Sequence, residues 1–299
     1  MKIAHSPIYR YQLPEGHRFP MIKYELIPEQ LIREGTIKES DFFHPAALTD
    51  LEILSVHTKE YLTALKTLDL DRKAARAIGF PLRADLITRG RYIAKATYDC
   101  AKYAMLDGVS LNTAGGTHHA FADKGEGFCV FNDIAIASRM LLDRGEVKKI
   151  LVIDLDVHQG NGTAHIFREE ERVFTLSVHG ANNYPLRKQV SDLDIGLPDK
   201  ADDDLYLSTI RDILPKLIDE VEPDLVFYLA GVDILATDKL GRLSVSRQGC
   251  KDRDHYVLGL CRKHQIPVSI VMGGGYSHQI RDIIEAHANT FRVAQEMYF

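Results

Sequence analysis

The stretch Ile150-Leu-Val-Ile-Asp-Leu-Asp-Val-His-Gln-Gly-Asn-Gly162 constrains the chain more than any other. Ile150 to Ile153 is an unbroken apolar run, the pattern of a strand buried on both faces of a sheet. Asp154, Asp156 and His158 then occupy every second position. In extended backbone such residues project to one side. The spacing therefore predicts two carboxylates and an imidazole converging at one end of a buried strand, which the Gly160-Asn161-Gly162 turn ends. Buried charge is costly unless paired or coordinated, and a metal ion is the simplest partner for this set.

The rest of the chain supplies neighbours for that strand. A short strand at the start of Gly108–Ala120, and the apolar runs at Arg172–His179, Pro223–Asp233 and Pro267–Tyr276, read as further strands. Helical spacing recurs at His57–Lys66, Asp85–Leu106, Ile134–Leu142, Thr163–Arg168, Asp203–Val221, Gln248–His264 and Ser277–Met297. Thr58 is placed to cap the first of these, and Asn132 or Asp133 the third. Met21 to Glu34 is helical in character, with Pro28 leaving one helix or two open. Residues 180–198 read as a long irregular loop holding Tyr184, Asp192 and Asp194, and such loops are often functional. Strands that are apolar rather than alternating, with helices between them, predict a mostly parallel sheet covered on both faces. No linker or repeat divides the 299 residues, so one domain is expected.

Composition narrows the function. A net charge of −5 offers no electrostatic footprint for direct nucleic-acid binding. No segment reaches the roughly 20 apolar residues of a membrane helix, and the N-terminus lacks a signal-peptide core. Cys100, Cys129, Cys250 and Cys261 show no CxxC spacing and read as reduced thiols of a cytoplasmic protein. Cys129 falls near the polar motifs, where a small packing residue is the better reading than a nucleophile.

The chemistry-bearing residues follow the C-terminal ends of the strands: His118 and His119, Asp154 to His158, Ser177 and His179, Asp233, and Tyr276. Open α/β sheets bind ligands along that edge. Asp156, His158 and Asp233 offer one imidazole and two carboxylates with no thiolate, a set suited to Zn²⁺ or another borderline divalent ion at a catalytic site. Two nearby histidines can exchange protons, Asp154 can orient one of them, and Tyr276 can donate to an oxyanion. The combination predicts metal-assisted hydrolysis of an amide-type bond.

Gly115-Gly-Thr-His-His-Ala120, Gly127-Phe-Cys-Val-Phe-Asn-Asp133, Asp154 to Gly162, Ala230-Gly-Val-Asp233 and Gly273-Gly-Gly-Tyr276 together resemble the zinc-dependent histone deacetylase superfamily, in its order and at similar spacing. The resemblance runs from His5 to the C-terminal helix and looks most like class IV and bacterial relatives. It implies a single α/β domain over residues 1–299: the three-layer arginase/deacetylase fold, with a central, mostly parallel eight-stranded sheet. It implies zinc, with Fe²⁺ as a second option, on Asp156, His158 and Asp233. It makes His118, His119 and Tyr276 catalytic, with Asp154 supporting His118 and Asn161 supporting His119. Gly127, Phe128, Tyr184 and Gly275 match substrate contacts along a narrow acyl-lysine tunnel. Asp154, Asp156, His158, Ser177 and Val178 match a monovalent cation site for K⁺ or Na⁺, and Arg18 an arginine near an internal acetate channel. Asn161 departs from the pattern, because many members carry Asp there. An amide cannot stabilise an imidazolium by charge, so His119 is expected to be the less basic histidine.

The implied substrate is an acyl-lysine protein or peptide, or else a small acylated amine such as an acetylpolyamine. A binuclear manganese ureohydrolase would need an Asp-x-Asp pattern that Asp233-Ile-Leu-Ala-Thr-Asp238 lacks. A non-catalytic acyl-lysine binding module would not need Tyr276, both histidines and all three ligands.

Overall fold

The computed structural model describes residues 1–299. Eight strands form one sheet: β1 (Lys2–Ala4), β2 (Phe42–Phe43), β3 (Val109–Asn112), β4 (Ile150–Asp154), β5 (Val173–Gly180), β6 (Leu193–Leu197), β7 (Leu225–Leu229) and β8 (Val268–Val271). Their order is β2-β1-β3-β8-β7-β4-β5-β6, and every pairing is parallel. All the strands therefore end along one edge, which is what brings distant motifs together. β4 lies between β7 and β5, with Asp154 in register with Leu229 on one side and Ser177 on the other.

Helices cover both faces: α1 (Lys23–Arg33), α2 (Asp50–Ile53), α3 (Lys59–Thr67), α4 (Arg72–Ile78), α5 (Ala84–Asp107), α6 (Asp133–Asp143), α7 (Asn161–Phe167), α8 (Asp203–Val221), α9 (Arg247–Lys263) and α10 (Ile280–Tyr298). Strand residues alternate between the two cores. Leu151 and Ile153 pack with α8, α9 and α10, while Ile150 and Val152 pack with α3, α5 and α6. An unbroken apolar run is thus two half-faces interleaved. This is the three-layer arrangement expected. No helix is long and apolar enough to cross a membrane.

Several expectations change in detail. Pro28 does not split its helix; α1 runs through it as one element. The segment 180–198 is not irregular throughout, because β6 pairs with the edge of β5. Asp192 accepts from the Thr175 amide and hydroxyl, each at 2.8 Å, and so staples that edge. β4 ends at Asp154, so Asp156 and His158 lie in the turn beyond it, and strand alternation is not what aligns them. Asn161 opens α7 rather than a terminating turn. β1, β2 and α4 had no clear signal; β1 and β2 have three and two residues, too short for any periodicity to register.

Candidate active site

Four loops at the C-terminal edge build the site. After β3 the chain turns through Gly115 and Gly116, both at positive φ, before His118 and His119. Asp133, buried at the start of α6, holds this turn by accepting from the Gly116 amide at 3.0 Å and the Thr117 amide at 2.7 Å. The turn must come close to the glycines after β8: a Cβ on Gly116 would lie 2.7 Å from the Gly273 nitrogen. Glycine is the residue that meets both demands.

The turn after β4 carries Asp156 and His158, and the one after β7 carries Asp233. One donor atom from each lies within 4.8 Å of the others, and all three residues are buried. His158 Nδ1 is 3.1 Å from Asp156 Oδ1 and from Asp233 Oδ2. Backbone amides hold the carboxylates in place, with Gly274 donating to Asp156 Oδ2 at 2.7 Å and Val157 to Asp233 Oδ1 at 2.9 Å. Burial opposes charge on His158, but the two carboxylates prevail and push it up to about 10. Asp233 is raised to about 7 by burial and by Asp156. Two carboxylates so close and so buried need a cation, and oxygen and imidazole donors without sulfur fit a borderline divalent ion.

The adjacent histidines have different supports. His118 Nδ1–H donates to Asp154 Oδ2 at 2.6 Å; burial opposes its charge, but Asp154 raises it to about 9. His119 Nδ1–H donates to Asn161 Oδ1 at 2.7 Å, and burial, reinforced by His118 and His158, drives it well below its ordinary value. Their ring centroids are 4.1 Å apart. Tyr276 faces them across the cleft, its ring 6.4 Å from that of His158. Burial and the nearby Asp233 and Asp156 push its phenol well above 10, so it remains an O–H donor.

Two connected cavities meet at this cluster. The outer one, about 210 Å³, is lined by Phe128, Tyr184, Gly127, Leu240, Ala77 and Arg18, with His119, His158 and Tyr276 at its floor. Phe128 has φ +69, a strained value for a bulky residue, and hydrogen bonds from Gly127 to Ala77 and from Phe128 to Ile78 hold that turn. Tyr184 packs edge-on against His119, centroids 5.0 Å apart. The inner cavity, about 40 Å³, continues past Tyr276 to Tyr24 and Arg89. A water needs roughly 10–15 Å³ on this scale, so the inner space suits only very small molecules.

Two expected residues fall elsewhere. Arg18 is exposed, over the Phe128 ring at 5.0 Å, and lines the outer mouth rather than the inner cavity. The inner arginine is Arg89 of α5, whose Nε donates to the Tyr9 carbonyl at 2.6 Å. Its signal was available: Arg89 shares the buried helix face of Leu86 and Ile93, where a charge is out of place. Gly275 points away from the cleft toward Val232 and His287, and Gly273 and Gly274 line the inner cavity instead. Ser177 and Val178 lie on β5 beside Asp154, with Asp156 and His158 in the next turn, so the five cation-site candidates are neighbours. Lys23 was also missed. It is wholly buried at the start of α1 and donates to the Gly273 carbonyl at 3.1 Å, on the face shared with Ile27 and Leu31. Cys129 is buried and its thiol pushed far up by burial, which fits packing rather than nucleophilic chemistry.

Fold and site together define a three-layer α/β protein with a buried candidate metal site at the C-terminal edge of its parallel sheet. Residues 17–291 match the histone deacetylase domain. An uncharacterized protein of Picosynechococcus sp. is 42% identical over 99% of both chains. Histone deacetylase 2 of Arabidopsis thaliana is 30% identical over 87% of this chain and 70% of its own length. Among solved structures, the HDA15 HD domain superposes with a TM-score of 0.82 at 21% identity, covering 99% of this chain and 91% of that one. An HDAC homolog complexed with SAHA also reaches 0.82, at 24% identity over 98% and 82%. The chain belongs to the histone deacetylase family, and its fold is the arginase/deacetylase fold. That membership makes it a deacetylase, a hydrolase.

Proposed function

We propose that this protein is a zinc-dependent deacylase that removes acetyl or longer acyl groups from the ε-amine of lysine in a protein or peptide. The observation that carries the proposal is the buried Asp156–His158–Asp233 cluster, flanked by two histidines and Tyr276, at the floor of a cavity walled by Phe128 and Tyr184. Asp156, His158 and Asp233 would hold the ion, with Fe²⁺ as the other metal the donors accept. When bound, such an ion supplies Lewis acidity and lowers the pKa of water.

The chain's own residues supply the proton transfers. His119 is neutral, and with Nδ1–H committed to Asn161 its Nε2 is free to take the proton of an attacking water. His118 is held charged by Asp154 and carries a proton for the departing amine. Tyr276 donates to the carbonyl oxygen as it gains negative charge. The apolar ring of Phe128 and the half-exposed ring of Tyr184 suit an aliphatic lysine stem. Arg18 at the mouth disfavours a polycationic acetylpolyamine, the alternative substrate. K⁺ or Na⁺ beside Asp154, Asp156, His158, Ser177 and Val178, and a cytoplasmic site of action suggested by the cysteine pattern, belong to the same proposal.

The test is a panel of acyl-lysine peptides and acetylpolyamines assayed with metal-stripped and zinc-restored protein. Turnover of acyl-lysine that depends on added zinc is expected. Turnover of acetylpolyamines alone would overturn the substrate assignment, and no metal-dependent turnover on any of them would overturn the reaction.

A further inference from the structure

Glu126 lies outside the set of residues considered so far, yet it completes a chain to His119. It sits in the turn between Gly125 and Gly127, its side chain 15% exposed. Asn161 Nδ2 donates to Glu126 Oε1 at 2.7 Å, while Asn161 Oδ1 accepts from His119 Nδ1 at 2.7 Å. Burial, reinforced by the nearby Glu126 carboxylate, pushes the Tyr184 phenol well above its ordinary value. Lys124 Nζ lies 3.4 Å from Glu126 Oε2 on the solvent side.

The turn is held firmly against the histidine. A Cβ on Gly127 would lie 2.5 Å from His119 Cδ2, and one on Gly125 would lie 2.5 Å from the Cys129 carbonyl oxygen. The Cys129 amide donates to the Glu126 carbonyl at 2.9 Å. The carboxylate is therefore delivered to one place.

An amide can be turned over, exchanging its oxygen and nitrogen, at almost no cost in shape. Turned over, Asn161 would donate to His119 Nδ1 and force the ring proton onto Nε2. That is the wrong tautomer for a base acting through Nε2. It would also set the Asn161 oxygen against the Glu126 carboxylate, two acceptors with no proton between them. The observed orientation satisfies every group: Glu126 accepts, the Asn161 nitrogen donates, its oxygen accepts, and His119 Nδ1–H donates. An aspartate at 161 would need no such support, because its two oxygens are alike.

We propose that Glu126 is a positioning residue that locks the orientation of the Asn161 amide and through it the Nδ1–H tautomer of His119. Its consequence for catalysis rests on His119 acting as a base, as described under the proposed function; its consequence for the ring proton does not.

The experiment uses the zinc-loaded protein of residues 1–299. Glu126→Gln keeps the shape and the hydrogen-bonding capacity but pairs with either face of the amide. It should lower kcat roughly tenfold, the low end for such supporting partners, with KM little changed. The ¹⁵N shifts of the His119 ring should move from a single Nδ1–H tautomer to a mixture. In an Asn161→Asp background the same Glu126→Gln change should cost nothing or restore rate, because no orientation remains to be locked and a carboxylate repulsion is relieved. A wild-type kcat with unmoved ring shifts in Glu126→Gln would overturn the proposal, as would an equal loss in both backgrounds. If no acyl substrate is turned over at all, the ring shifts still decide the tautomer, so failure of the functional reading and of this one are distinguishable.

Discussion

His118 and His119 are adjacent in sequence and in space, yet they draw on two different regions of the molecule. His118 leans on Asp154, the last residue of β4, in the middle of the sheet. His119 leans on Asn161 at the start of α7, which leans in turn on a turn near the surface. The sheet side supplies a charge, and the loop side supplies a neutral amide. Two identical side chains are thereby set to opposite protonation states, His118 charged and His119 neutral. The contrast between the two rings therefore lies in their partners and not in the histidines themselves.

The largest effects should come from breaking that division outright. His119→Ala should lower kcat by roughly 100- to 10,000-fold, the range of a lost general base, and by more than His118→Ala does. A larger loss from His118→Ala, measured under the same zinc-loaded conditions, would reverse the two assignments. Tyr276→Phe should cost roughly 100- to 1,000-fold in kcat with little change in KM, since it removes one oxyanion donor and leaves both histidine supports in place. Hydrolysis of an acetyl-lysine peptide at the wild-type rate by this variant would sink the mechanism.

Smaller effects should sharpen the contrast through pH. His118 is raised from an ordinary 6.5 to about 9, so the stability it contributes is fully present below about 6.5 and is lost as pH rises through 9. Asp154→Asn should flatten that alkaline loss, measured by urea unfolding of metal-stripped protein between pH 6 and 9.5. An unchanged slope would show that Asp154 does not hold the proton there. The smallest change is expected on the acid side. Histidines buried in the neutral form, His57 and His179 at about 4 among them, contribute stability that is present above about 6.5 and lost as pH falls through 4. Asn161→Asp should raise the pKa of His119 and move the acid limb of kcat/KM to higher pH. A limb that stays where it is would detach His119 from that limb.

The motifs were legible in the sequence because they are local. Each is a short run at the end of an apolar strand, and the chemistry of Asp156, His158, Asp233 and the histidine pair follows from residue type. The helices with strong periodicity, such as Asp203–Val221, were legible for the same reason. β6 was hidden because it is an edge strand with half-exposed residues, whose pattern resembles a loop until β5 is there to pair with it. Arg89 and Lys23 stand out as charges on apolar helix faces, but such a residue does not reveal what it faces, and only packing put them at the inner cavity and the Gly273 carbonyl. Arg18 was misplaced because a residue in an irregular segment carries no register, and only packing decided that it sits over Phe128 at the mouth.

Local sequence fixes the chemistry available: a parallel sheet, a charged cluster at its edge, and an amide at Asn161. The tertiary structure alone decided how that chemistry is divided. Glu126 reaches Asn161 across 35 positions of sequence and His118 reaches Asp154 across 36. Contacts at such separations depend on the order of strands and the close approach of turns, neither of which a local pattern encodes. Residue types set which groups here can hold a proton, and the packing of two regions against one another sets which partner each histidine has.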